Sequence, residues 1–198
     1  MKKIKTITSS ETAVAASIAR CAQVVTASLC HAATLAAMGD ELVGILRSGG
    51  KVLLAGNGGS AAEAMHMAEE LTGRFKTNRA PLPAVALCAD PTALTCIGND
   101  FGFDAVFSRP VEALGRPGDL LVLFSTSGNS PNLVNACVAA RARGMKVHCL
   151  LGKTGGALAG KGDRELIVAA PETARIQEVH QLAMHIMLEI VEAEFGLV

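Results

Sequence analysis

Residues 52–70 read VLLAGNGGSAAEAMHMAEE: an apolar run, a glycine and serine turn, then a segment with helical spacing. An apolar run without polar alternation fits a strand buried on both faces, and such strands joined directly to helices build parallel sheets. The turn Gly56-Asn57-Gly58-Gly59-Ser60 permits positive φ and close approach of backbone N–H groups to a ligand. The helix that follows directs its positive end at the same point, so a phosphate or sugar oxyanion suits the cradle. His66 and Glu70, four residues apart on that helix, share one face one turn beyond the cradle. They read as a metal-binding or acid/base pair beside a bound phosphate ester. A hydrogen-bonded helix histidine and a solvated glutamate are the plain alternative.

Further along, apolar runs near 52–55, 83–88, 120–124, 146–151 and 165–169 alternate with helical patterns near 60–72, 103–115, 131–143 and 173–195. The alternation predicts an α/β fold with a central five-stranded parallel sheet covered on both faces. Ligands then bind at the carboxyl ends of strands, near the point where strand order reverses. Ahead of it, Ser9-Ser10-Glu11 starts a helix; one kinked helix or two run to about Arg47 and end at Ser48-Gly49-Gly50. Val14, Ile18, Val24, Val25, Leu29, Leu35, Leu42 and Ile45 make this part apolar on more than one face, which predicts a helical oligomer interface. Residues 1–48 thus form an N-terminal helical extension and 49–198 the α/β domain.

A chain of 198 residues, 50% of them hydrophobic, supports one substantial core. Its 18 Lys and Arg balance 18 Asp and Glu and are scattered, so it offers no electrostatic footprint for nucleic acid. Cys21, Cys30, Cys88, Cys96, Cys137 and Cys149 form no C-x-x-C pair; most stand in apolar surroundings and read as reduced thiols of a cytosolic protein. The start, MKKIKTITSSETAVAASIARCA, has the early lysines and alanines of a weak secretion signal, but Glu11 and Arg20 interrupt it. No uninterrupted apolar stretch of membrane-spanning length is expected.

A second turn, Ser125-Thr126-Ser127-Gly128-Asn129-Ser130, lies between the apolar DLLVLF and Pro131. Its hydroxyls at a helix start read as a second anion cradle, or as an ordinary Ser/Thr helix cap. Gly56, Gly58 and Ala61 match G-x-G-x-x-G/A, but a dinucleotide fold wants an acidic residue about 20 positions on, and Asp90 falls well beyond that. Gly152-Lys153-Thr154 imitates the end of a Walker loop, with Val147 where the first glycine belongs. Near the C-terminus, at ~100° per residue, Gln177, Gln181 and His185 fall on one face and His180 on another. Together with His66 and Glu70, Gln177 and His185 supply an N/O donor set suited to a zinc-like cation. His180 reads as structural or supporting, and His31 and His148 have nothing nearby to promote them. Cys96 to Phe103 clusters turn formers with an amide and a carboxylate, suited to hydroxyl recognition or to a plain turn.

The segments GNGGS, AMHMAEELTGRF, GNDFGF, FSTSGNS, GMKV, and RIQEVH with a later histidine resemble the bacterial phosphoheptose isomerase family of sugar isomerase (SIS) domain proteins. The resemblance covers the chain from about residue 40 onward and implies a three-layer, flavodoxin-like domain. It further implies conversion of sedoheptulose 7-phosphate to D-glycero-D-manno-heptose 7-phosphate for lipopolysaccharide precursors, in the cytoplasm, by a homotetramer with active sites at subunit interfaces. Carried onto this chain, it marks substrate contacts at Asn57, Gly58, Gly59, Ser60, Glu70, Asn99, Asp100, Ser125, Thr126, Ser127, Ser130 and Gln177. It marks zinc ligands at His66, Glu70, Gln177 and His185, one ion per subunit, with Glu70 and His185 as acid/base groups. Ala61-Ala62-Glu63 and the stretch Cys88 to Ala93 depart from some relatives. A scaffold of the same fold that binds a replication initiator, or a sugar-phosphate sensor, would have no need of His66, Glu70 and His185 together.

Overall fold

The apolar runs become strands. In the computed structural model, which describes residues 8–196, these are β1 (Val52–Gly56), β2 (Ala84–Ala86), β3 (Leu120–Ser125), β4 (Lys146–Gly152) and β5 (Arg164–Val168). They form one sheet in the order β2-β1-β3-β4-β5 with every neighbouring pair parallel. β1 and β3 are buried along their whole length, as uninterrupted apolar runs require, whereas Val85 of the edge strand β2 is exposed. Strand order reverses at β1, where Gly56 is in register with Phe124. The turns leaving β1 and β3 therefore flank the crevice in which such sheets bind ligands.

Seven α-helices accompany the sheet among the described residues: α1 (Ser9–Ala27), α2 (Ala32–Arg47), α3 (Gly59–Thr72), α4 (Pro91–Phe101), α5 (Ser108–Leu114), α6 (Pro131–Ala142) and α7 (Thr173–Phe195). Alternate strand residues point to opposite faces and so build two cores. Val52, Leu54, Val122 and Phe124 meet α2, α3 and α7. Leu53, Ala55, Leu121 and Leu123 meet α4, α5 and α6 on the other face, completing three layers.

Two local expectations need correction. The pattern near 103–115 is not one helix: Phe103–Ala105 is a 3-10 turn, followed by the short α5. Ahead of it stands α4, across residues that read partly as turn formers. The Asp90 carboxylate accepts from the Thr92 and Ala93 N–H groups at 2.9 and 3.1 Å, and Pro91 occupies the first turn, so a strong cap overrides the later Gly98 and Asn99. The first helix starts at Ser9 as expected, with Thr8 ahead of it as the cap, through reciprocal bonds with Glu11 of 2.7 and 3.1 Å.

The α1–α2 break is a 3-10 turn at Ser28–His31. The helical run Ser9–Arg47 has a mean hydropathy of 1.5 and is long and apolar enough, by length and composition, to cross a bilayer, contrary to expectation. α1 contains no buried residue, yet it is tied to α7: Arg175 Nη1 donates to the Ser17 carbonyl at 2.9 Å, and Arg20 pairs with Glu172 at 3.3 Å. Residues 1–7, where the signal-like start begins, lie outside the described residues. All six cysteines are free thiols; Cys137 and Cys149 are buried, while Cys30 and Cys96 are exposed.

Candidate active site

The first wall of the crevice is the turn after β1. Gly58 precedes α3 with φ of +57°, a conformation that side chains rarely adopt, and the Ser60 N–H closes the turn on the Asn57 carbonyl at 3.1 Å. The second wall is the turn after β3, shaped by its own hydroxyls. Ser125 Oγ accepts from the Gly128 N–H at 3.0 Å and Ser127 Oγ from the Asn129 N–H at 3.2 Å. Asn57 and Asn132 join the walls through a reciprocal amide pair at 2.9 and 3.0 Å. Between them lies a cavity of about 210 Å³ lined by Ser60, Ser125, Thr126, Ser127, Ser130 and Gln177, with Asn57 and Gly59 at its edge. Two helix starts and a ring of hydroxyls give it the chemistry that suits an anion.

Gln177 also lines an adjoining cavity of about 470 Å³, together with Gly59, Glu63, His66 and Gln181. Here α3 faces α7. His66 Nε2 is 3.1 Å from Glu70 Oε1, and the Gln181 amide nitrogen lies 2.6 Å from His66 Nδ1 and 3.2 Å from His185 Nε2. The Gln181 amide thus bridges the two rings beside the carboxylate. The two imidazoles meet edge to face at 5.3 Å, and Phe75 stacks on His185 at 5.6 Å. Glu70 is 15% exposed and His66 36%, so the pair is sheltered but reachable.

His66, Glu69 and Glu70 offer ligand atoms all within 4.8 Å of one another. Imidazole nitrogen and carboxylate oxygen at that spacing fit a divalent cation. Of the other expected ligands, His185 is linked to His66 through the Gln181 amide, and Gln177 lines the same cavity as His66. Asn99 and Asp100 do not. They are exposed on α4, hydrogen-bonded to each other at 2.7 Å, and α4 packs Leu94 and Ile97 against the opposite sheet face.

Several participants escape pattern reading. Gln181 shares a helical face with Gln177 and His185, and that spacing is the signal that could have promoted it. Arg79 carries no such signal: it is buried beneath the α3 C-terminus, where it donates to the carbonyls of Glu70 at 2.6 Å and Leu71 at 2.9 Å, and to Glu192 of α7 at 2.8 Å. Burial raises the Glu192 pKa, but the Thr77 hydroxyl and N–H and the Arg79 guanidinium outweigh it and hold the carboxyl at about 2. His148, which nothing in the sequence promoted, is buried away from the crevice with Nε2 2.7 Å from Glu41. His180 is buried too, its Nε2–H donated to the Leu151 carbonyl at 3.0 Å.

The family model for the SIS domain matches residues 9–152. Together with a flavodoxin-like sheet whose switch-point turns enclose a hydroxyl-lined cavity, the match defines an SIS-domain protein. Phosphoheptose isomerase of Pectobacterium atrosepticum is 53% identical over 156 residues, covering 78% of this chain and 80% of the relative. Among solved structures, a phosphoheptose isomerase from Neisseria gonorrhoeae has a TM-score of 0.87 at 42% identity over 92% of this chain and 98% of that one. One from Francisella tularensis has 0.90 at 35% identity, over 94% and 100%. The chain belongs to the phosphoheptose isomerase family of SIS-domain enzymes.

Proposed function

We propose that the chain interconverts sedoheptulose 7-phosphate and D-glycero-D-manno-heptose 7-phosphate through an enediol(ate), as a cytoplasmic homotetramer supplying heptose for lipopolysaccharide precursors. The observation that carries the chemistry is the position of Gln177 between the two cavities. A phosphate seated under the serine and glycine turns sets the far end of a short sugar chain beside His66, Glu70 and His185. Aldose–ketose exchange needs a base for the carbon-bound proton next to the carbonyl and groups that handle the oxygen protons. Glu70 is the base and His185 its partner at the oxygens and in ring opening. Glu70 Oε1 is held by His66, which leaves Oε2 to take the carbon proton and return it to the neighbouring carbon. A zinc-like ion held by His66, Glu70, Gln177 and His185 would supply Lewis acidity for the charge that develops on the two oxygens.

Support for the oligomer comes from α1, where Val14 and Ile18 are 58% and 65% exposed, and from Leu29, at 73%. Beside them an apolar groove of about 250 Å³ runs between α2 and α7, lined by Leu35, Leu182, Ile186 and Ile190. Apolar surface of this kind marks an interface, and a second copy covers it. Asn99 and Asp100, surface residues of one protomer, join a crevice across such contacts.

The test is incubation of the purified, metal-analysed protein with sedoheptulose 7-phosphate in deuterated water. Aldose product carrying deuterium at C2 is expected. Unchanged ketose in the presence of added zinc rejects the assignment.

A further inference from the structure

Glu63 and His180 are two buried ionisable groups of the site region that the mechanism leaves unused. Glu63 is on α3, three residues before His66; His180 is on α7, between Gln177 and Gln181. Their side chains are 7% and 0% exposed, and Glu63 Oε2 lies 3.8 Å from His180 Nδ1. Both Glu63 oxygens and His180 Nδ1 are buried with no hydrogen-bond partner among the described residues. On the other side of the ring, Nε2–H is committed to the Leu151 carbonyl of β4, and the Phe124 ring stands 6.3 Å away.

A neutral imidazole has one N–H, and here it is spent on Leu151. Nδ1 would then face the carboxylate as a second bare acceptor, and two desolvated acceptors turned on one another cost free energy with nothing to offset it. One additional proton removes the conflict, whether carried by the carboxyl or by the ring. We propose that Glu63 and His180 hold a single shared proton and, through it, act as positioning residues that fix α3 against α7 and β4. The residues they position are those on which the catalytic reading rests. His66 and Glu70 ride on α3, while Gln177 and His185 ride on α7, so a slip between these two helices separates the acid/base groups without removing any of them. Misplacement on the scale of an ångström is enough to cost large factors in rate.

NMR of the full chain, labelled with ¹⁵N-histidine, tests the proton directly and independently of turnover. A His180 Nδ1 resonance shifted away from that of a bare acceptor nitrogen is expected, absent from His180→Gln and returned to the bare-acceptor position in Glu63→Leu. Kinetics test the positioning: Glu63→Leu lowers kcat about tenfold or more at little-changed KM, and Glu63→Gln, whose amide N–H can donate to Nδ1 in place of the shared proton, recovers most of that loss. Absence of the shifted resonance, or a Glu63→Gln variant as impaired as Glu63→Leu, overturns the proposal. The second result would mean that Glu63 works as a charged carboxylate. If the shifted resonance is present but sedoheptulose 7-phosphate is not turned over, the shared proton stands and the catalytic reading falls.

Discussion

At the scale of single residues, the acid/base assignment and the placement of Gln177 make separate predictions. Glu70→Gln keeps the shape of the side chain and its contact with His66 but cannot accept the carbon proton, and His185→Gln removes the imidazole stacked on Phe75. Each variant should fold and lose at least ~10²-fold in kcat, the usual scale for general acid/base help. Near wild-type turnover in steady-state assays would withdraw the role. Gly59 makes a subtler case. A Cβ there would stand 2.3 Å from Gln177 Nε2, the mobile end of a side chain, and no positive φ opposes an alanine. Gly59→Ala should therefore melt within a few degrees of the parent while kcat/KM falls roughly tenfold, because the displaced amide no longer bridges the two cavities. Unchanged kcat/KM with the methyl in place would show that the position of Gln177 is immaterial.

Between elements, the fastening to watch is Arg79 and Glu192, which ties the α3 C-terminus to α7 across the loop that also presents Phe75 to His185. Glu192 is depressed in the folded chain from its usual 4.5 to about 2, so its contribution is complete above pH 4.5 and is lost as pH falls through about 2. At about 1.4 kcal/mol for each tenfold change in protonation, the gap corresponds to roughly 3 kcal/mol at most. Acid unfolding followed by circular dichroism should show a steep loss between those pH values, shallower in Glu192→Gln. A variant with the parent's acid profile would assign the loss to other carboxylates. Nothing local in the sequence announces this pair, for its members are 113 residues apart. The same distance problem hides Glu63 from His180. What was legible obeys short-range periodicity: the apolar runs of β1 and β3, the four-residue step from His66 to Glu70, and the eight-residue step from Gln177 to His185. α4 escaped because its cap, Asp90-Pro91, was outweighed in the reading by Gly98, Asn99, Asp100 and Gly102, although capping acts at the first turn and tolerates weak helix formers later.

For the whole molecule, the unpartnered apolar surface is the strongest constraint. α1 has a complete capping box and polar ties to α7, so it is a formed helix docked on its own domain, yet it buries none of its side chains. Ile18 is exposed on α1, and Leu29 is exposed at the groove between α2 and α7. A bilayer would take the same apolarity, but the polar ties run from Ser17 and Arg20 in the middle of α1 to the start of α7, a core helix of the sheet domain. Pulling the helix into lipid would strip those charges of their partners and of water, which is costly. Association of copies satisfies the apolar face and leaves the ties intact. Light scattering on the purified chain should thus give the mass of four copies of a 20.4 kDa protomer without detergent. A double variant, Ile18→Glu with Leu29→Glu, places charge in the middle of the proposed contact and should shift the population to smaller species. If crevices are completed across that contact, kcat should fall with the loss of tetramer, although no changed residue lies within a single protomer's crevice. A monodisperse monomer with full turnover would exclude both the interface and any contribution of a neighbouring copy to the site.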